Sequence, residues 1–314
     1  MKRAFFFLPG LSERYRSGGN MVIQDVERIL SEDLKLESFF VTTHEKHGEA
    51  LSPQQAFELS TTQNGTTSED IFIVTWGPLI EKHIQEIRAA KPHAHIIYYA
   101  QSFGWGIKVP DDITIACVSR YVLSQWSLKN PHNNLAYIPP PLAPFITPGP
   151  PPHEREFDLF IHTRKQIDYC LNHLLPALQH SELNIRIVNE WIEHETFAAE
   201  LRNAKLFIYI TGTHKAGLFR RLPAEGFGLP ALEAVASGCT VASNILGGVT
   251  DFLTPGENAI KLQTKSVHDD IEKITAAAKN FSAHFDTGQR NAEQVIQHYS
   301  RAQTAQRWHT LLQL

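Results

Sequence analysis

Short runs of apolar, β-branched or aromatic residues recur along the chain at 4–8, 39–42, 71–75, 95–100, 113–118 and 135–138, and again at 158–162, 185–188, 206–210, 240–243 and 259–262. None alternates apolar with polar residues for long, which is the pattern of strands buried on both faces. Between most neighbouring runs lies a longer segment with helical spacing, such as Val22, Val26, Ile29 and Leu30, or Leu171, Leu174, Leu175 and Leu178. Strand and helix in alternation predict an α/β fold of doubly wound parallel sheets with helices on both faces.

Residues 139–152 hold eight of the 18 prolines. Proline lacks a donor N–H and fixes φ, so this stretch reads as an extended connector between two Rossmann-like halves. The expected organisation is an N-terminal domain over 1–147, a proline-rich linker over 148–156 and a C-terminal domain over 157–290. Residues 291–314 lack proline and glycine and predict a helix, with Val295, Tyr299, Ala302, Ala305 and Trp308 as an apolar stripe, that returns to the N-terminal domain. Two such domains facing across a cleft bind ligands at the carboxyl ends of their strands.

Composition narrows the function. With 314 residues, 42% hydrophobic, 20% charged and a formal net charge of −4, the chain lacks the basic excess of a nucleic-acid binder. Cys117, Cys170 and Cys239 are too few and too scattered for a disulfide framework or zinc cluster, so they read as core residues of a protein in a reducing compartment. The apolar start at residues 4–8 is too short for a secretory leader and reads as a first strand. The N-x-T sequon at Asn64 has no consequence in a cytosolic setting.

The richest segment runs from Pro223 to Ser243. Pro230 suits the first position of a helix reaching about Ser237, with Gly238 just beyond it. The glycines ahead of it, Gly226 and Gly228, allow close backbone approach and leave N–H groups at a helix N-terminus, an anion site. Glu225 opens the loop, and Glu233 is expected in the first helical turn. Taken singly, Glu225 reads as a solvated loop acid and Glu233 as an acid favoured by the helix dipole. Together they suit a nucleotide-sugar site, since carboxylates accept hydrogen bonds from diols while free N–H groups face phosphate.

The spacing Glu225, seven residues, Glu233, with Gly226-Phe227-Gly228-Leu229-Pro230 between, resembles the signature of retaining GT-B glycosyltransferases of family 4. The strand at 240–243 and Gly247-Gly248-Val249-Thr250-Asp251 resemble the strand, double-glycine loop and acid that follow it there, with Asp where Glu is commoner. The resemblance implies that Glu225 contacts the donor sugar and Glu233 the ribose. It further implies that the N–H groups of Phe227, Gly228 and Leu229 meet the sugar, and that Gly247 and Gly248 reach phosphate or sugar. Arg164 and Lys165, after the strand at 158–162, would hold the diphosphate. They are adjacent rather than spaced, so one of them reaches it, and Arg220-Arg221 is a second basic pair that compensates. As bare residues, two cations at a helix N-terminus oppose the dipole unless an anion binds. The base falls by the same likeness near Asn189-Glu190-Trp191-Ile192, where Trp191 and Ile192 would line its loop.

The N-terminal half matches in outline. Gly18 and Gly19 resemble the first glycine loop of that family, and Ser119 the start of a serine-initiated helix. Gln101, in Gln101-Ser102-Phe103-Gly104-Trp105, stands where many members carry a histidine, and glutamine is no general base. Thr75-Trp76-Gly77 ends a strand on the same face. Among 16 histidines the close pairs are His44 with His47 and His93 with His95, neither with a third ligand at metal spacing, so no metal site is expected.

What the resemblance implies is front-face transfer of a sugar, a hexose by family habit, from a nucleoside diphosphate to a hydroxyl of a glycan or lipid-linked glycan. No cofactor or metal is needed, the pathway would be bacterial polysaccharide or glycolipid assembly, and the place the cytoplasm, with at most peripheral membrane contact. A catalytically silent GT-B module that binds nucleotide-sugar or a partner enzyme is the alternative. A glycosidase is disfavoured because the two acids bracket a glycine loop. A dinucleotide oxidoreductase is disfavoured because no Gly-x-Gly-x-x-Gly follows the first strand.

Overall fold

The computed structural model describes residues 2–45, 48–60, 70–75, 77–104, 106–216 and 220–314. The chain divides into two compact units, 1–141 with 301–314, and 142–300; the division falls inside the proline-rich stretch.

The first unit runs β1 (Arg3–Leu8), α1 (Gly18–Arg28), β2 (Glu37–Thr42), α2 (Pro53–Leu59), β3 (Ile71–Val74), α3 (Ile80–Ala90), β4 (His95–Ala100), β5 (Thr114–Cys117), α4 (Arg120–Lys129) and β6 (Leu135–Tyr137). The six strands are all parallel in the order β2-β1-β3-β4-β5-β6. Phe5, Phe6 and Phe7 of β1 are fully buried, as expected of a central strand covered on both faces. Strand order reverses between β1 and β3, so right-handed crossovers place helices on opposite faces and open a crevice at the carboxyl ends of these two strands. Ser17 caps α1 by accepting from the Asn20 N–H, and Ser119 caps α4 through the Val122 N–H.

The second unit runs β7 (Phe157–His162), α5 (Leu175–Leu178), β8 (Ile185–Val188), α6 (His194–Arg202), β9 (Ala204–Ile208), β10 (Thr213–Ala216), β11 (Arg220–Pro223), α7 (Leu229–Ala236), β12 (Thr240–Ser243), β13 (Ala259–Lys261), α8 (Val267–Lys279) and α9 (Phe281–His298). Five strands form a parallel sheet, β13-β12-β9-β7-β8, whose order reverses between β7 and β9. Cys170, Leu174 and Leu178 pack with Leu159, Ile161, Leu206 and Ile208 in its core. Arg155 is buried among carbonyls, donating to those of Ala204 at 2.6 Å and Ser237 at 3.1 Å, and its guanidinium lies over Phe281. The three cysteines are free and buried.

The segment at 291–314 is not one helix. The chain turns at Tyr299 and Ser300, and α10 (Arg301–Leu312) belongs to the first unit. Its Trp308 is fully buried, edge-on to Tyr99 at 5.4 Å, whereas Tyr299 packs on Phe227 and Phe252 of the second unit. The apolar stripe is therefore shared by two cores, and Ala302, read as part of it, is exposed. The hairpin of β10 and β11, antiparallel and outside the main sheet, has no counterpart in the apolar pattern, because its polar residues His214, Lys215, Arg220 and Arg221 give no strand signal.

Candidate active site

At the carboxyl end of the second sheet, β11 delivers the chain to Glu225. Its carboxylate accepts from the Tyr209 hydroxyl and from the Phe227 N–H, the latter at 3.2 Å. Tyr209 directly follows β9 and is itself buried; burial and the nearby Glu225 and Glu233 carboxylates push its phenol far up, so it is a permanent donor. Gly228 then caps α7 with φ at +96°, a left-handed conformation that other residues adopt at a cost, and a Cβ there would lie 2.5 Å from the Val249 side chain. The helix begins at Leu229, with Pro230 one position later than expected.

That shift carries Glu233 past the first turn, so the dipole argument for an acid at that position does not hold. Ala231 to Ala236 are all buried, and Glu233 is 4% exposed in a helix that is otherwise apolar at its centre. A buried carboxylate needs a partner. It has one in His194, the first residue of α6, whose Nε2 lies 2.7 Å from Oε1; the His194 ring stands edge-on to Phe145 at 4.9 Å. Nothing in the spacing of the sequence pointed to His194 or Tyr209, because both arrive from distant elements.

Gly247 and Gly248 lie against the same loop. The Gly248 N–H donates to the Glu225 carbonyl at 3.0 Å, and a Cβ on Gly248 would overlap the Gly226 carbonyl and Phe227 Cα, so two backbones meet here with no room for a side chain. Ile245, just ahead, has φ at +50°, rare for a β-branched residue. Asn244 holds this turn by exchanging two hydrogen bonds with the Thr211 backbone at 2.9 and 2.8 Å. Strain of roughly 1–3 kcal/mol at such a residue, over-determined by its neighbours, is typical of ligand-binding loops.

Beside this, at the end of β7, Arg164 and Lys165 lie in a single 3₁₀ turn (Thr163–Lys165) that precedes the helix beginning near residue 168, so they do not occupy its first turn. The backbone of Lys165, Arg220 and Arg221 is described here, but not their side chains. Arg164 is exposed, with its guanidinium 5.2 Å from the ring centre of Trp191, which is 45% exposed in the loop after β8; Ile192 is half-buried beside it. Thr163 ties the two loops together through Asn189 at 2.9 Å and the Val188 carbonyl at 3.3 Å. Gln166 links them to β9, donating to the Ile208 carbonyl at 2.9 Å. Arg164 and Tyr209 thus follow the two strands that flank the reversal in strand order, the usual ligand position of such a sheet.

The first unit holds its own cavity, of about 690 Å³, at the carboxyl ends of β1 and β3. Gly19 and Gln101 both line it, and the Gln101 amide donates to the Gly19 carbonyl at 3.0 Å; Gly18 is half-buried in the same first turn of α1. Thr75 and Gly77 are on its wall, while Trp76, Trp105, His47 and the sequon at Asn64 lie outside the described residues. Among the described residues, one group could gather around a metal, His268, Asp269 and Glu272, and all three are exposed. No helix among them is long and apolar enough to cross a membrane.

No protein-family model and no curated protein matches the chain. Solved structures do. Sucrose-phosphate synthase from Thermosynechococcus elongatus aligns with a TM-score of 0.70 at 11% identity, covering 99% of this chain and 98% of that one. The pneumococcal O-GlcNAc transferase GtfA, solved with UDP and GlcNAc, aligns at 0.65 and 11% identity over 100% and 98%. Anabaena HepE, solved with UDP and glucose, aligns at 0.66 and 10% identity over 99% of each chain. The fold is therefore GT-B, two parallel-sheet α/β units.

Proposed function

We propose that this protein is a retaining glycosyltransferase that moves a sugar, by family resemblance a hexose, from a nucleoside-diphosphate donor to a hydroxyl acceptor. The observation that carries the reading is the pair of carboxylates at the carboxyl end of the second sheet. Glu225 and Glu233 bracket a glycine-capped helix start, each held by a donor from another element. In this reading Glu225, oriented by Tyr209, accepts hydrogen bonds from the donor sugar. Glu233, fixed by His194, accepts from the ribose. Backbone at Gly226, Phe227, Gly228, Leu229, Gly247 and Gly248, two loops packed on one another, borders the sugar and phosphates.

Arg164 holds developing charge on the diphosphate, with Lys165 as its neighbour in the turn, and Trp191 with Ile192 receives the base. Front-face departure lets the leaving phosphate oxygen take the acceptor proton, so no positioned base is required in the second unit. The sugar carbon exchanges its bond to phosphate oxygen for one to the acceptor oxygen. Hydrogen-bond donors and a guanidinium suffice for the leaving group, and no metal enters the scheme. The acceptor, a glycan or lipid-linked glycan, is assigned to the cavity of the first unit beside Gly18, Gly19 and Gln101. A cytoplasmic role in bacterial polysaccharide or glycolipid assembly, with at most peripheral membrane contact, completes the proposal.

Calorimetric titration with UDP, GDP, ADP and dTDP and their common sugar conjugates tests it. One diphosphate should bind saturably and lose about tenfold or more in Glu233→Ala, while Glu225→Ala should cut turnover with nucleotide affinity nearly unchanged. Equal binding and rates in both variants would refute the roles. Nucleotide binding without donor hydrolysis or transfer would instead favour the silent module.

A further inference from the structure

Gln101 leaves the first unit without a histidine at the position the resemblance would supply, and its amide is spent on the Gly19 carbonyl. A different histidine lines the same cavity. His83 lies on α3, on the stripe with Ile80, Ile84 and Ile87, and is 5% exposed. Its Nδ1 is 3.3 Å from Oε2 of Glu86, one turn further along and partly exposed. A carboxylate only accepts, so this contact puts the ring proton on Nδ1. Among the described residues no hydrogen bond engages Nε2. The ring also packs against Phe7, with ring centres 6.1 Å apart. Burial lowers the affinity of His83 for a second proton, and its neighbours Lys82 and His44 act in the same direction, against Glu86.

The rest of the lining suits a sugar. Leu8, Pro9, Ile23 and Leu79 form apolar wall, and Tyr15, stacked on His44 at 6.4 Å with the Arg14 guanidinium 5.7 Å from its ring centre, adds an aromatic side chain. A volume of about 690 Å³ falls in the ordinary range of small-molecule sites, roughly 300–1,000 Å³.

Resting on the glycosyltransferase reading, we infer that the His83–Glu86 pair is the hydroxyl-binding element of this cavity: Glu86 fixes the tautomer, and Nε2 accepts a hydrogen bond from a pyranoside hydroxyl. No proton need leave the hydroxyl to His83. The pair orients the nucleophilic oxygen, which loses its proton to the departing phosphate when the new glycosidic bond forms.

The test uses the full chain with ¹⁵N-labelled histidine rings, with UDP present, titrated with p-nitrophenyl glucosides, galactosides and N-acetylglucosaminides as probes. Nitrogen–proton correlation spectra should show His83, identified by its absence in His83→Gln, as the neutral Nδ1–H form, and a binding pyranoside should move its Nε2 resonance. His83→Gln places an acceptor where Nε2 was and should keep pyranoside affinity within about threefold. His83→Asn and His83→Phe should lose about tenfold, the equivalent of ~1.4 kcal/mol. Glu86→Gln, at a partly exposed site where folding is not at risk, should mix the two tautomers and weaken the probe several-fold.

Three results would overturn the assignment: the Nε2–H tautomer in the wild type, His83→Phe binding the probe like the wild type, or no pyranoside moving the resonance. UDP affinity separates the two levels of inference. Normal UDP binding and donor hydrolysis with any of these results sinks the His83 role alone, whereas failure to bind any nucleoside diphosphate sinks the glycosyltransferase reading with it.

Discussion

Replacing His194 by alanine tests whether Glu233 is held in place by a partner rather than merely tolerated. Glu233 is almost fully buried in α7, and His194 Nε2 at 2.7 Å is the hydrogen bond it makes among the described residues. Removing the imidazole leaves a desolvated carboxylate oxygen without its bond, at a cost of about 1–3 kcal/mol. The lost edge contact with Phe145 adds roughly 0.5–1.5 kcal/mol. For a unit of this size each kcal/mol lowers Tm by roughly 2–4 °C, so His194→Ala should unfold roughly 3–18 °C earlier. Scanning calorimetry of the wild type, His194→Ala, Glu233→Leu and the double variant separates the two contributions. In the Glu233→Leu background there is no carboxylate to abandon, and His194→Ala should then cost only the ring contact. An equal cost in both backgrounds would refute the partnership, and so would an unchanged Tm in the single variant.

Gly248→Ala should leave the fold largely intact but lower nucleotide-sugar affinity more than tenfold, because its Cβ meets backbone at Gly226 and Phe227, and one of the two loops must move; calorimetric titration checks it. Tyr209→Phe removes the hydroxyl that orients Glu225, and steady-state kinetics should show kcat falling about tenfold with donor KM changed little. Trp308→Ala empties a fully buried site between α10 and β4 and should cost about 3–5 kcal/mol in denaturant titrations. His83, with its folded pKa lowered by burial, favours the neutral ring; its stabilising contribution is full above the unfolded value of about 6.5 and is lost as pH falls from there through the folded value. Denaturation midpoints between pH 7.5 and 5 should accordingly fall less steeply in His83→Gln than in the wild type.

Local pattern carried much of this molecule. Buried parallel strands are short, apolar and uninterrupted, and all eleven such runs occupy strands of the two sheets. The helix after the glycine loop and Gly238 at its end were legible to within one position, because turn and cap chemistry is encoded within a few residues. Where periodicity was the only guide it failed in recognisable ways. The stripe at 291–314 continued through a chain reversal at Tyr299, since apolar spacing does not say which core a residue joins. The β10–β11 hairpin had no apolar signature because it lies outside both sheets.

The partners of the chemical groups were decided by tertiary structure. Tyr209 reaches Glu225 from the end of β9, His194 reaches Glu233 from the start of α6, and Arg164 stands by Trp191 because β7 and β8 are neighbours in the sheet. Glu86 and His83, by contrast, are three residues apart on one helix and were within reach of a sequence reading; what the sequence lacked was the knowledge that this face of α3 borders a cavity. Spacing along the chain determines which side chains share a strand or a turn. Strand order, a long-range property, determines which of those ends are brought together, and with them which carboxylates are buried, paired and able to meet a ligand.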